Sequence, residues 1–193
     1  MRQFVYFSGE ARTSGNFDVN DLMKAGRMDI AIHSLINAFF LSHGLRGDVV
    51  LHLVFYGQPD PPKHIEIRVK AETNLSKKDV AGLIKKVLYK YREGEKKEVF
   101  PGVWVEKKSF LKVVEGLLGE GREIFVLDKK GESLRKAKIP KESVFVLGDH
   151  KGLPKKELKR LKSISKSVSV GNKVYFASQV VTILNNELDL RNF

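Results

Sequence analysis

Hydrophobic positions along the 193-residue chain follow two periods that alternate from end to end. Phe4 to Ser8 is a short aromatic and β-branched run, which reads as a strand opening into the polar loop Gly9–Phe17. From Met28 to His43 the period lengthens: Ile32, Leu35, Ile36, Phe39 and Phe40 keep the spacing of a helix, which Gly44 would end. Its apolar stripe is broad, as expected deep in a core or in a subunit interface. Val49 to Tyr56 is almost continuously apolar, the pattern of a central strand covered on both faces. Ile65 to Val69 alternates strictly and predicts a strand with one wet face. Ser76-Lys-Lys-Asp79 has the spacing of a capping box for a helix through about Tyr91. A charged connector, Glu93–Glu98, leads to a short strand or hairpin at Pro101–Glu106 and a short helix at Phe110–Leu118.

The last third repeats strand and helix in closer succession. Glu123–Asp128 is a buried strand followed by a basic loop, Lys129–Lys141. Ser143–Leu147 is a strand, Gly148–Pro154 a glycine-containing loop, and a basic helix follows. Ser167–Gly171 is a second short strand with its own glycine, and an apolar helix begins at Ala177. Strands alternating with helices at this spacing predict one α/β domain, with a mainly parallel sheet and helices on both faces. In such a sheet ligands sit outside the carboxyl ends of the strands. Three ends, Leu127-Asp128, Leu147-Gly148-Asp149 and Ser169-Val-Gly171, would line one crevice with free backbone N–H and C=O groups. That suits an adenine edge; the simpler reading of each glycine is a turn former.

Composition narrows the chemistry. There is no Cys, which excludes disulfides, thiolate catalysis and Cys-ligated metal. The five His have no zinc-site spacing, and no phosphate-binding or dinucleotide-binding glycine motif occurs, so no metal is expected. No apolar run reaches membrane-spanning length and the start has no signal-peptide layout, which points to the cytoplasm. A net charge of +12 favours a polyanionic partner, with nucleic acid first, over a balanced solvated surface. Near the N-terminus, Thr13-Ser-Gly-Asn16 and Ala25-Gly-Arg-Met-Asp29 gather hydroxyl, amide, guanidinium and carboxylate groups. Asp29 reads most simply as a helix cap or dipole partner. Arg27 reads as its ion-pair partner or as a phosphate contact.

Thr13-Ser-Gly-Asn-Phe17, Ala25-Gly-Arg-Met-Asp29, Leu41-Ser-His-Gly44, Val146-Leu-Gly-Asp-His-Lys-Gly-Leu-Pro154 and Asn186-Glu-Leu-Asp189 together resemble, in order, the archaeal TrmY family. These are S-adenosylmethionine-dependent tRNA pseudouridine-54 N1-methyltransferases of the SPOUT class, related to a ribosomal-RNA pseudouridine N1-methyltransferase. The resemblance implies a C-terminal trefoil knot over about residues 123–193 and a homodimer built across it. It implies that Leu127, Gly148, Val168, Ser169, Val170, Gly171, Asn172, Lys173 and Val180 hold S-adenosylmethionine, the last through its backbone. For tRNA it implies Thr13, Asn16, Lys151 and Lys155 as binding residues, with Asp29 and Arg27 at the chemistry. Asp29 would hold the uracil edge or take the N1 proton. Two alternatives stay open: methylation of ribosomal RNA, and a basic RNA-binding module without catalysis.

Overall fold

A computed structural model describes residues 1–193. In chain order the elements are β1 (Arg2–Ser8), α1 (Met28–Phe39), β2 (Phe40–Leu41), β3 (Gly44–Leu45), β4 (Val49–Phe55), β5 (Lys63–Arg68), α2 (Val80–Lys90), β6 (Lys97–Phe100), β7 (Val103–Glu106), α3 (Phe110–Gly119), β8 (Glu123–Ser133), β9 (Ser143–Gly148), α4 (Lys155–Ile164), β10 (Lys166–Ser169) and α5 (Ala177–Leu190). Eight strands form one sheet in the order β10-β8-β9-β1-β4-β5-β7-β6. The five from β10 to β4 are parallel; β5, β7 and β6 extend the sheet antiparallel.

Each central strand is apolar throughout because it serves two cores in alternation. Phe4 and Tyr6 face a large cluster with α1, α2 and α5, whereas Val5 and Phe7 face a smaller one with α3 and α4. The same alternation runs through Phe145 and Leu147 against Val144 and Val146. Burial on both faces drives this part of the fold.

Four sequence expectations are corrected. The first helix stops at Phe39, because Phe40 turns extended and pairs with Leu45 in a two-residue hairpin; Gly44 lies in that hairpin and caps nothing. Helix α2 begins at Val80 behind Asp79, and Ser76 only accepts Asp79 N–H in a preceding turn, so no capping box forms. Strand β5 is buried as far as Ile67, with only Arg68 exposed: His64 meets His52 of β4 and Glu106 of β7, and Glu66 is covered by Arg68 and Lys96. Strand β8 continues through the expected basic loop to Ser133, since its end pairs with the next element: Val168 and Ser169 of β10 align with Glu132 and Ser133.

That pairing is interrupted. Lys166 and Ser167 align with Phe125 and Val126, and the register then jumps across residues 127–131. The C-terminal helix is anchored on both sides of this region. The Arg191 guanidinium donates to the carbonyls of Leu134 (2.7 Å) and Ala137 (3.0 Å). Arg2, whose side chain is 3% exposed, donates to Asp189 (2.9 Å), the Phe193 carbonyl (2.7 Å) and Asp48 (2.8 Å). The Asn185 carboxamide donates to the Asn37 carbonyl of α1 (3.0 Å). The acidic motif near the C-terminus thus joins the last helix to the first strand.

Candidate active site

The carboxyl ends of β8, β9 and β10 open on a mostly apolar cleft of about 350 Å³, closed on one side by the start of α5. Eight of the expected cofactor residues line it: Leu127, Gly148, Val168, Ser169, Val170, Gly171, Lys173 and Val180. Asn172 is exposed and stays out of the lining. Asp128 and Asp149, at the expected strand ends, line it too, and the structure adds residues that the sequence reading missed, among them Leu153, Leu158 and Tyr175.

Gly148 is needed for a reason other than ligand approach. A Cβ there would lie 2.4 Å from the carbonyl carbon of Gly152, where the 149–152 loop turns back and closes a bridge. Asp149 then ties this loop to the N-terminal one. Its Oδ2 accepts from the Ser8 hydroxyl (3.0 Å) and the Gly9 N–H (2.9 Å), and its Oδ1 from the Lys151 N–H (2.8 Å).

Asp29 is not the helix cap. Arg27 occupies that position in the left-handed region, at φ 59°, and Asp29 follows in the first turn. The Arg27 guanidinium grips the Asp29 carboxylate bidentately, both contacts at 3.0 Å. Burial pushes the Asp29 carboxyl up, but the bonds and charge of Arg27 outweigh it and hold the group below the usual carboxylate range. A carboxylate held this way is a weak base and a firm brace. Beside it Tyr6 is fully buried, and its hydroxyl lacks a hydrogen-bond partner. Burial, with the charge of Asp149 next, pushes that phenol above its ordinary range, and Asp29 and Arg27 are also close enough to act on it.

The other expected RNA-binding residues divide. The Thr13 hydroxyl donates to the Gly57 carbonyl (2.8 Å) and accepts from the Asp60 N–H (2.9 Å); buried and committed, it stitches two loops together. The Asn16 side chain is exposed. Lys151 is ion-paired with Glu10. Lys155 is exposed at the start of α4, on the rim beyond Leu153.

Residues 1–193 match the family model described as "Putative SAM-dependent RNA methyltransferase". A tRNA (pseudouridine(54)-N(1))-methyltransferase of Thermococcus gammatolerans is 40% identical over 197 residues, covering 98% of this chain and 97% of the relative. One of the same name from Methanosarcina mazei is 36% identical over 194 residues, covering 98% and 91%. The chain belongs to this S-adenosylmethionine-dependent RNA methyltransferase family. Its fold is that of Archaeoglobus fulgidus Nep1 bound to S-adenosylhomocysteine, with a TM-score of 0.66 at 16% identity over 100% of this chain and 99% of that one.

The family's cofactor fits the cleft. Its volume lies in the range of small-molecule sites, its walls are apolar, and β-strand ends expose main-chain groups for the polar edge of an adenosine. When bound, S-adenosylmethionine supplies a sulfonium methyl group. A metal role has one geometric candidate: ligand atoms of His52, His64 and Glu66 lie within 4.8 Å of one another. Each is already engaged. His52 Nδ1 and His64 Nε2 share a hydrogen bond of 2.9 Å, and Glu66 is ion-paired with Arg68 (2.7 Å) and Lys96 (2.5 Å). Oriented by Arg122, the Gln3 amide gives its oxygen to the guanidinium and its nitrogen to His52 Nε2. His52 then donates to His64, which donates to Glu106 (2.9 Å). The chain of bonds closes without a cation.

Proposed function

We propose that this chain transfers the methyl group of S-adenosylmethionine to N1 of pseudouridine at position 54 of tRNA. The observation that carries the reading is the cleft at the ends of β8, β9 and β10, joined through Asp149 to the loop that starts at Ser8–Gly9 and is bonded, by Arg12 N–H to the Ala25 carbonyl, to the segment just before Arg27 and Asp29. The names of the full-length relatives support the target. Pseudouridine is joined to its ribose through carbon, so N1 is free and carries a proton. The chain has to hold that nitrogen toward the cleft, keep water out and leave the proton an exit. Apolar side chains such as Leu127, Leu153 and Val180 keep the cleft dry. Arg27 and Asp29 form a fixed ion pair against which the nucleotide is set, and they position rather than accept a proton. We further infer a cytoplasmic homodimer and a C-terminal knot. Exposed Val174, Tyr175 and Phe176 beside α5 support the dimer, and the Arg191 bonds to residues 134 and 137 support the knot.

The test compares tRNA transcripts bearing pseudouridine or uridine at position 54, and a ribosomal RNA fragment, by mass spectrometry after incubation with labelled cofactor. Methylation is expected only on the pseudouridine tRNA. Methylation of the uridine transcript would overturn the substrate claim, because its N1 already bears the sugar. Asp29→Asn is expected to keep cofactor affinity and lower turnover about a hundredfold, as misplacement of a positioning group does. Near-normal turnover would return Asp29 to a structural brace of α1.

A further inference from the structure

Next to the cofactor cleft lies a second concavity of about 400 Å³, between the loops that follow β1 and β4. Its floor is main chain from three segments that cross closely. A Cβ at Gly26 or at Gly57 would fall 1.8 Å or 2.1 Å from the Glu10 carbonyl oxygen, so only glycine permits the crossing. Arg12 N–H donates to the Ala25 carbonyl (3.2 Å) and Gly57 N–H to the Ala11 carbonyl (3.0 Å), which fixes the segments to one another. The groove and the cleft share a wall, since Gly9 lines the groove and binds Asp149, which lines the cleft.

The charges in the groove are unevenly used. Glu10 is neutralised by Lys151, with His150 at 3.6 Å, and Lys24 pairs with Asp21 at 2.7 Å. The Arg12 guanidinium is exposed and has no carboxylate of its own. Gln58 is held by its main chain, whose carbonyl accepts from Thr13 N–H (3.2 Å), which leaves its exposed carboxamide free. Tyr56 is half-buried, its hydroxyl accepting from Phe110 N–H (3.0 Å) and its ring tilted against Phe7, so it makes a rigid aromatic wall. A free guanidinium, a free carboxamide and a fixed ring are the groups that take up a phosphate, a base edge and a base face.

We propose that this groove receives the target nucleotide, with its phosphate on Arg12, its base along Tyr56 and the imide edge of the base on the Gln58 carboxamide. A carboxamide matches an imide, its oxygen accepting N3–H and its nitrogen donating to the neighbouring carbonyl. Cytosine offers no N3–H there. The inference rests on the RNA-methylating reading and adds the residues that select the base.

The experiment measures binding of a T-arm hairpin carrying pseudouridine or cytidine at the target position, to wild type, Arg12→Ala, Gln58→Ala and Gln58→Glu, across a salt series. Cofactor affinity, melting and methyl transfer are followed in parallel. Arg12→Ala is expected to weaken both hairpins about tenfold and to lower the salt slope by about one. Gln58→Ala is expected to erase a preference for pseudouridine of roughly tenfold, and Gln58→Glu to invert it toward the cytidine amine. Cofactor affinity should not change. Wild-type methylation with unaltered binding and selectivity in all three folded variants would overturn the groove while leaving the activity standing. Failure of the wild type to methylate the pseudouridine hairpin or full tRNA would overturn the substrate reading, and the groove with it.

Discussion

Single residues in this site owe their importance to what they touch rather than to their type. Gly148 is one case. Its missing side chain makes room for the carbonyl carbon of Gly152, so even one methyl group forces the 149–152 loop outward. That loop carries Asp149, which binds Ser8 and Gly9 and thereby fixes the wall between cleft and groove. Gly148→Ala is therefore expected to lose cofactor affinity and also roughly 1–3 kcal/mol of stability, the usual cost of overpacking. Calorimetry with S-adenosylmethionine beside a melting curve decides it. Lost affinity at unchanged stability would assign Gly148 to the ligand instead. Tyr6 is the opposite case: a fully buried hydroxyl without a partner, set in the large apolar core beside Phe4 on the same strand face. Nothing in the sequence separated it from its neighbours Phe4 and Phe7.

At the scale of elements, the apolar strands were legible because both of their faces meet hydrophobic clusters, so letters alone describe β1, β4 and β9. Elements whose partners are polar were not. His64 and Glu66 look solvent-facing in isolation, yet their environment is built by Gln3, His52, Glu106 and Arg122, residues up to 119 positions apart by their numbers. The far end of β8 is hydrophilic and becomes a strand only because β10 pairs with it. The loops that line the cleft were readable from strand ends and glycines; the groove residues Arg12 and Gln58 were not, since exposed polar residues carry no period. The buried histidine chain has a consequence that pH reveals. Burial, reinforced at His52 by its neighbour His64, holds His52 well below the ordinary value of 6.5. Burial also lowers His64, outweighing the opposing pull of Glu106. In the fold both take up a proton only at lower pH than in the unfolded chain, which does so below about pH 6.5. The unfolded state then binds more protons, so stability is fully present above that pH and falls as pH drops through 6.5 and below. Each histidine contributes up to about 1.4 kcal/mol per pH unit. Denaturant melts from pH 8 to 5 are expected to show this decline, with NMR reporting His52 neutral at pH 6. A protonated His52 at that pH in the folded protein would refute the assignment.

For the molecule as a whole, part of the positive charge stands unpaired beside the cleft. Of the 35 Lys and Arg residues, many are locally compensated, among them Lys151 by Glu10, Arg160 by Glu115 and Lys162 by Asp128. Lys155, Lys156 and Lys159 are different, since they stand exposed on α4 with no carboxylate partner. Helix α4 begins directly after the loop that walls the cleft and its Leu158 lines it, so the free lysines of α4 stand near the cleft. Contacts of this kind bind through counterion release, and each phosphate neutralised adds roughly 0.7–0.9 to the dependence of log affinity on log salt. Replacing Lys155, Lys156 and Lys159 together by Glu is expected to weaken tRNA binding and to reduce that slope by about two to three. The affinity for S-adenosylmethionine should stay at the wild-type value, because none of the three lines the cleft. Fluorescence titrations from low to moderate salt measure the slope, and calorimetry measures the cofactor. A wild-type slope in the triple variant would mean that α4 faces away from the RNA, and the compensated pairs around Glu10 and Asp128 would become the next charges to examine.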